Sequence, residues 1–241
     1  MYTALVIATR DYVQKSGFSD VCLGLSGGVD SALVATIAAD ALGADHVHAV
    51  LMPSRYSSDH SITDAQQLVD RQGLGSQVVA IEEAHRAFHH LLAPALGEDL
   101  PGFTDENLQA RIRGVLLMAF SNASGWLVLT TGNKSESAVG FSTLYGDTAG
   151  AYAVIRDVYK TRVYDLCRWR NEQEDTPVIP ENILTKAPSA ELRPDQRDDQ
   201  RLPPYEILDP LLEAYIEGDR TRADLVADGF EKDLVDRVVS L

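Results

Sequence analysis

The sequence reads as an α/β protein built on a doubly wound parallel sheet, with a small helical segment towards its carboxyl end. Three observations point there. Short apolar runs alternate with stretches of helical periodicity, polar and glycine-rich clusters follow the apolar runs, and 241 residues suffice for one such domain with a substantial core. In chain order, Met1 to Lys15 reads as an amphipathic helix and Val21–Leu25 as the first strand, followed by an expected helix from Ser31 to Leu42. Val47–Met52 is the second expected strand, and Ser58 or Asp59 caps a helix running through Arg71. Gln77–Ile81 is expected as the third strand, with a helical pattern through Leu92. Thr104 is expected to cap a long helix from Asp105 to about Asn122, placing Asp105 and Glu106 at the positive end of its dipole. Trp126–Leu129 is the fourth expected strand. Beyond Gly140 come a glycine-containing loop, a helix near Arg162–Arg170, a proline- and charge-rich stretch from Glu172 to Pro204, and short helices from Tyr205 onward. The stretch 172–204 reads as a mobile lid inside a single domain spanning 1–241.

Charge and composition exclude several classes. A net charge of −15 argues against a nucleic-acid partner, because gripping a phosphate backbone takes a basic stripe. No apolar run is long enough to span a membrane, and the amphipathic start does not resemble a signal peptide, so a cytoplasmic protein is expected. The two cysteines, Cys22 and Cys167, form no C-x-x-C pair and read as buried thiols in a reducing compartment.

The stretch Val21-Cys22-Leu23-Gly24-Leu25-Ser26-Gly27-Gly28-Val29-Asp30-Ser31 carries the chemistry. An apolar strand runs into a Ser-Gly-Gly-x-Asp-Ser loop that opens onto a helix. Adjacent glycines let backbone N–H groups approach phosphate oxygens, and the helix adds unpaired donors and a positive dipole end. Ser26 and Ser31 add hydroxyls. Asp30 repels phosphate, so its carboxylate makes sense as a ligand for a divalent cation. The G-x-x-x-x-G-K-[ST] spacing of a Walker A loop is absent. A tight turn without a ligand is the competing reading.

Ligands of an open parallel sheet collect at the carboxyl ends of the strands. Two further polar clusters obey that rule: Pro53–Ser58, and Thr130-Thr131-Gly132-Asn133-Lys134-Ser135-Glu136. An ordinary helix start also favours Thr, Asn, Ser and Glu, so the second cluster alone leaves both readings open. His85, His89 and His90 share a helical face, but no carboxylate or cysteine has matching spacing, and no metal is expected there.

The Ser-Gly-Gly-x-Asp-Ser loop resembles that of the PP-loop ATP pyrophosphatases, which cleave ATP between its α and β phosphates to adenylate a substrate oxygen. The acidic charge and lone cysteines disfavour the RNA-thiolating branch. Further blocks narrow the resemblance: Glu106-Asn107-Leu108-Gln109-Ala110-Arg111-Ile112-Arg113-Gly114, Gly132–Glu136, Thr143-Leu144-Tyr145-Gly146-Asp147, Lys160-Thr161, and Lys186 through Pro194. In this order they are similar to the signature blocks of NAD synthetases over nearly the whole chain. The wording of Asn107–Arg111 and of Leu202-Pro203-Pro204-Tyr205 is most similar to the synthetase domain of glutamine-dependent members.

The resemblance implies ATP-dependent amidation of nicotinic acid adenine dinucleotide (deamido-NAD) by ammonia through an acyl-adenylate, with Mg2+ as cofactor and ATP as co-substrate. It implies that Gly24, Leu25, Ser26, Gly27, Gly28, Val29, Asp30, Ser31, Thr131, Lys160 and Ser189 hold ATP. Asp30 and Glu136 would ligate the metal, and Asn107, Arg111 and Glu136 would lie at the dinucleotide. Lys134, added from charge and position, joins Lys160 and Lys186 as charge-stabilising groups. Arg111 and Arg113 also admit the plainer reading of surface ion pairs. Ser137, Ala151 and Tyr159 depart from the family pattern without removing a charged group. A homodimer is expected, partly from the resemblance and partly because the helix from Asp105 to Asn122 is apolar on more than one face. Glutamine-dependent relatives carry a glutaminase domain ahead of this one and a basic tail behind it. The sequence is expected to rely on free ammonia, or on a separate glutaminase domain or subunit, and to saturate less readily with the dinucleotide. Another adenylating amidotransferase of the superfamily, or an ATP-binding module without chemistry, are the alternative readings.

Overall fold

Five strands form the centre of the protein: β1 (Val21–Gly24), β2 (Val47–Leu51), β3 (Gly75–Val78), β4 (Leu127–Thr130) and β5 (Tyr152–Ala153). They pair wholly in parallel in the order β3-β2-β1-β4-β5, in a computed structural model that describes residues 1–97 and 100–241. Val21 aligns with Val47 on one side and Leu127 on the other, so β1 is covered on both edges. The chain winds outward from β1 to β3, then crosses back to β4, which places the topological switch between β1 and β4. A crevice opens there because successive connections leave on opposite faces of the sheet.

The helices are α1 (Tyr2–Lys15), α2 (Val29–Leu42), α3 (Asp59–Gln72), α4 (Glu82–Leu96), α5 (Gly102–Ser124), α6 (Lys134–Ala138), α7 (Lys160–Asn171), α8 (Glu181–Thr185), α9 (Tyr205–Leu212), α10 (Arg222–Ala227) and α11 (Lys232–Val239). Strand alternation sorts the core into two layers. Leu23, Leu129 and Ile155 pack with Leu33 and Ile37 of α2 and Leu68 of α3. Cys22, Val50 and Val128 face the other way, onto Ile112 and Leu117 of α5 and onto Ile81. A third cluster, with Leu208, Leu211, Leu225 and Val235, builds the expected carboxyl-terminal helical segment. Both cysteines are buried. Among the described residues, no helix is long and apolar enough to cross a membrane.

Several boundaries differ from expectation for identifiable reasons. β3 lies two residues earlier than the apolar signal, because pairing of Gly75 with His48 through Val78 with Leu51 sets its register. It is an edge strand whose Val78 is exposed, so hydrophobicity was a poor guide. α5 begins at Gly102 after Pro101 rather than at a Thr104 cap, which leaves Asp105 and Glu106 inside the helix with other partners. β5 spans only two residues and has no legible periodicity. Ser58 caps α3 as expected, its Oγ accepting the Ser61 N–H at 3.1 Å.

The stretch 172–204 divides into two parts. Ile179, Ile183 and Leu184 enter the main core, and the Asn171 amide brackets Ile179 with two hydrogen bonds of 2.9 Å. From Lys186 onward the chain turns over the crevice.

At the head of α2, Gly27 has φ +78, and a Cβ there would lie 2.2 Å from the Ser61 carbonyl oxygen. Both the left-handed conformation and the backbone approach of α3 therefore require glycine. Gly27→Ala is expected to lower stability by about 2 kcal/mol or more, read as a fall in the denaturant midpoint at unchanged slope.

Candidate functional site

The crevice at the carboxyl ends of β1 and β4 is a cavity of about 500 Å3. Its walls include Gly24, Leu25, Ser26, Gly28, Val29, Asp30 and Ser31, together with Thr131, Asn107, Glu136, Lys160, Lys186 and Ser189. Residues separated by more than a hundred positions in the chain thus share one space. Gly27 alone of the expected loop residues lies outside the wall, since its backbone is turned against α3.

Hydrogen bonds within the loop set its shape before any ligand arrives. The Gly28 N–H donates to Ser26 Oγ at 3.2 Å, the Ser31 hydroxyl donates to the Gly28 carbonyl at 3.1 Å, and the two serine hydroxyls lie 3.2 Å apart. Gly28 is the N-cap of α2, so the first orphan N–H groups of that helix border the cavity.

Opposite the loop, α6 opens with a capping box. Asn133 Oδ1 accepts the Glu136 N–H at 3.0 Å, and Glu136 Oε2 accepts the Asn133 N–H at 3.4 Å. The Asn133 amide then donates to Asp30 Oδ1 at 2.9 Å, joining β4 to α2. The Lys160 ammonium is hydrogen-bonded to Asp30 Oδ2 and lies 3.4 Å from Glu136 Oε1. Lys160 is itself braced: its N–H donates to Ser135 Oγ at 2.9 Å, and Ser135 Oγ donates to Asp209 Oδ1 at 2.5 Å. The Thr161 N–H donates to the other Asp209 oxygen, so α9 positions the start of α7.

Electrostatics follow from burial. Removal from water pushes the Glu136 carboxyl up to about 8, Lys160 opposes that shift, and nearby Asp30 and Asp198 reinforce it. Burial alone would pull the Lys160 ammonium down, but the facing Asp30 and Glu136 carboxylates reverse this and hold it charged. Burial also raises Asp198 above the usual carboxylate range. Three acidic groups crowd one cation in a space shielded from solvent, which is why Glu136 and Asp198 are pushed up, and hard cations favour such oxygen donors.

The segment beyond Lys186 closes the cavity through charged contacts. Glu191 accepts from the hydroxyls of Ser58 and Ser61 at 2.8 and 2.7 Å, and the Lys186 ammonium reaches Ser61 Oγ at 3.0 Å and Asp64 Oδ2 at 3.1 Å. Arg201 pairs bidentately with Glu106 at 2.8 Å through both nitrogens. Glu106 is therefore an anchor for this segment rather than a dipole partner of its own helix.

Two expected site residues sit elsewhere. Lys134 points away from the cavity, held by Asp157 at 2.6 Å and Glu217 at 2.8 Å with its ammonium 5.0 Å from the Tyr159 ring centre. Its proximity in sequence to Glu136 misled, because two positions along a helix turn the side chain to a different face. Arg111 donates to the Leu144 carbonyl at 3.2 Å on the exposed side of α5 and does not line the cavity. Arg113 does: its Nε donates to the Met52 carbonyl at 3.0 Å, and burial pulls its guanidinium down to about 10 against the pull of Glu191. Sequence reasoning also missed Glu191, Asp198 and Asn133 as site residues. The Asn-x-x-Glu spacing was a legible signal for Asn133, whereas nothing local marks Asp198.

The comparisons agree with this geometry. A family model described as NAD synthase matches residues 1–241. A glutamine-dependent NAD(+) synthetase of Acinetobacter baylyi is 54% identical over 241 residues, covering 100% of this chain and 44% of the relative. The structure of a glutamine-dependent NAD+ synthetase from Acinetobacter baumannii in complex with ADP superposes with a TM-score of 0.76 at 48% identity, covering 99% of this chain and 43% of that one. An NH3-dependent NAD synthetase from Campylobacter jejuni gives a TM-score of 0.77 at 28% identity, over 100% of this chain and 92% of its own. The chain thus spans less than half the length of the curated glutamine-dependent relative it matches. With the loop, the carboxylate pair and the lysine brought together at the sheet's switch point, and the family model matching from end to end, this chain belongs to the NAD synthase family.

Proposed function

We propose that this chain catalyses the ATP-dependent amidation of deamido-NAD to NAD in the cytoplasm, with ammonia as the nucleophile. The observation that carries this reading is the convergence of Asp30, Glu136 and Lys160 against the glycine loop in one cavity. The nicotinate carboxylate attacks the α phosphate of ATP, and the bond from that phosphorus to the bridging oxygen breaks, releasing pyrophosphate. Ammonia then attacks the acyl carbon of the adenylate, AMP leaves, and the ammonium formed loses a proton to give the amide.

The N–H groups at the head of α2 and the hydroxyls of Ser26 and Ser31 bind phosphate oxygens, with Thr131 and Ser189 on facing walls. Lys160 and Lys186 face the growing charge on pyrophosphate, a role in which preorganised cations contribute most. Asn107, Glu136 and Arg113 lie where the dinucleotide carboxylate would enter, and Asn107 is oriented by a 2.7 Å hydrogen bond from Thr143 Oγ1 to its Oδ1. The donor set fits Mg2+: Asp30 and Glu136 are two carboxylates sharing one cation and opening on the phosphate cradle. When bound there, the ion supplies charge neutralisation of the phosphate oxygens.

The assembly we propose is a homodimer. Val115, Met118 and Tyr145 are exposed beside one another along a shallow groove of α5 that Ala119 and Ala149 also line. Exposed apolar side chains gathered along one helix call for a covering surface.

The discriminating assay supplies ATP and Mg2+ with different carboxylic acids. Deamido-NAD is expected to release pyrophosphate and, with ammonium, to yield NAD. Release with a purine nucleotide acid instead, or with none, would overturn the assignment, and replacing ammonium by glutamine tests the nitrogen source.

Asp30→Asn and Glu136→Gln are each expected to lower turnover a hundredfold or more, as for loss of a major electrostatic stabiliser. Glu136→Gln keeps an acceptor for the capping box and removes a carboxyl whose ionisation burial and the nearby Asp30 and Asp198 oppose. Its melting temperature without ligand should therefore equal or exceed that of the parent, a combination that a simple folding defect would not produce. For assembly, sedimentation at micromolar concentration should give the dimer mass, and Val115→Glu should give the monomer.

A further inference from the structure

Outside the cavity described above, His85, His89 and Asp105 converge on one point. The two histidines are one helical turn apart on α4, so their rings project from the same face. Asp105 comes from the first turn of α5, twenty residues after His85, a juxtaposition that spacing along one helix cannot reveal. His85 Nε2 lies 2.7 Å and His89 Nε2 2.5 Å from the same oxygen, Asp105 Oδ1. One ligand atom from each of the three residues falls within 4.8 Å of the others, and His90 takes no part. His85 is buried, Asp105 is 17% exposed at its side chain and His89 is 32% exposed, which leaves the cluster one opening to solvent.

The surroundings are built rather than incidental. Gln109, fully buried on the next turn of α5, donates from Nε2 to Asp105 Oδ2 at 3.1 Å and to the Leu192 carbonyl at 2.9 Å. Those two acceptors fix the orientation of the amide, and its Oε1 has no hydrogen-bond partner among the described residues. The carboxylate is thus oriented from behind through one oxygen while the other meets both imidazoles. That pattern, a carboxylate and two imidazoles with a buried amide behind, is the chemistry of a borderline divalent cation site.

We propose that His85, His89 and Asp105 bind a divalent transition-metal ion of the zinc class, joining α4 to the head of α5, with water in the remaining position. Two nitrogen donors and one oxygen select zinc, cobalt, nickel or copper over magnesium or calcium. Ligands bonded at about 2.0–2.1 Å around a tetrahedral ion stand roughly 3.3 Å apart, so the 2.5 and 2.7 Å contacts need open by less than about 1 Å. On binding, each Nε2 turns a lone pair to the ion. Its proton moves to Nδ1 in a neutral ring, or leaves for solvent from an imidazolium, and Asp105 exchanges two N–H donors for the cation. Through Gln109 the ion also bears on Leu192, in the segment that closes the cavity, so it would act as a positioning clamp and not as a reactant.

The test uses the whole chain, stripped with a chelator and held in excess Mg2+ so that the oxygen-rich Asp30 and Glu136 pair is occupied. Titration with Co2+ is expected to develop the intense visible absorption of a tetrahedral site at one equivalent, to be bleached by Zn2+, and Zn2+ should raise Tm by about 5 °C or more. Cu2+ substituted into the unmodified protein should show hyperfine coupling to two imidazole nitrogens by electron paramagnetic resonance. His89→Gln, at the partly exposed position, should weaken Co2+ binding at least tenfold while the protein remains folded. Absence of the cobalt spectrum, coupling to no imidazole nitrogen, or Co2+ affinity unchanged in His89→Gln would each overturn the site. Because the readouts are spectroscopic, failure here leaves the amidation reading untouched, and the reverse also holds.

Discussion

The buried ion cluster of Asp30, Glu136 and Lys160 is the constraint around which the rest is arranged. A lone ammonium taken out of water would lose its proton, and two unpaired carboxylates would take one up. Here the facing carboxylates hold Lys160 charged while the Glu136 carboxyl stays raised to about 8, an arrangement that persists only if each group is held in place by something other than its partner. Asn133 holds Asp30, the capping box of α6 holds Glu136, and Ser135 with Asp209 holds the backbone of Lys160. Every one of these supports comes from the start of a helix that follows a strand at the same end of the sheet, with α9 as the exception. The carboxyl-terminal helices therefore serve the site through Asp209, although they lie in a hydrophobic cluster of their own.

The substrates proposed are polyanions, which a net charge of −15 repels at long range. The resolution is local. On the proposed reading phosphate oxygens would meet backbone N–H groups and hydroxyls, and the cations on the wall, Lys160, Lys186 and Arg113, are individually tied to carboxylates or carbonyls. Such preorganised groups require little reorganisation when charge develops. The same economy of partners holds the closing segment down: Glu191 on the hydroxyls of α3 and Arg201 on Glu106 of α5 attach it to two separate helices. A segment held by charge-assisted hydrogen bonds at a few points can be ordered and still release as a unit.

Much of the fold was legible because it rests on local rules. The strands β1, β2 and β4 are short apolar runs, Ser58 caps α3, and the glycine loop follows β1, all within the reach of periodicity and capping preferences. Where those rules gave way, pairing or packing had intervened. β3 took its bounds from β2, and Pro101 displaced Thr104 from the head of α5. The site was legible in the same uneven way. Asp30 and Glu136 stand in motifs with recognisable chemistry, whereas Lys134, placed by charge and position, and Arg111, placed by the family resemblance, face other partners.

By itself, then, the sequence determined the class of the fold, the glycine loop that follows β1 and the family, because a loop's chemistry is written in adjacent residues and a strand's burial in its apolar run. Only the tertiary structure decided which charges meet. It set Arg113 rather than Arg111 on the cavity wall, bound Glu106 to Arg201, brought Asp198 to the ion cluster and delivered Asp105 to His85 and His89. Side chains on separate elements come together through helix rotation and crossover geometry, and a few degrees about a helix axis, invisible to local pattern, choose between a buried partner and solvent.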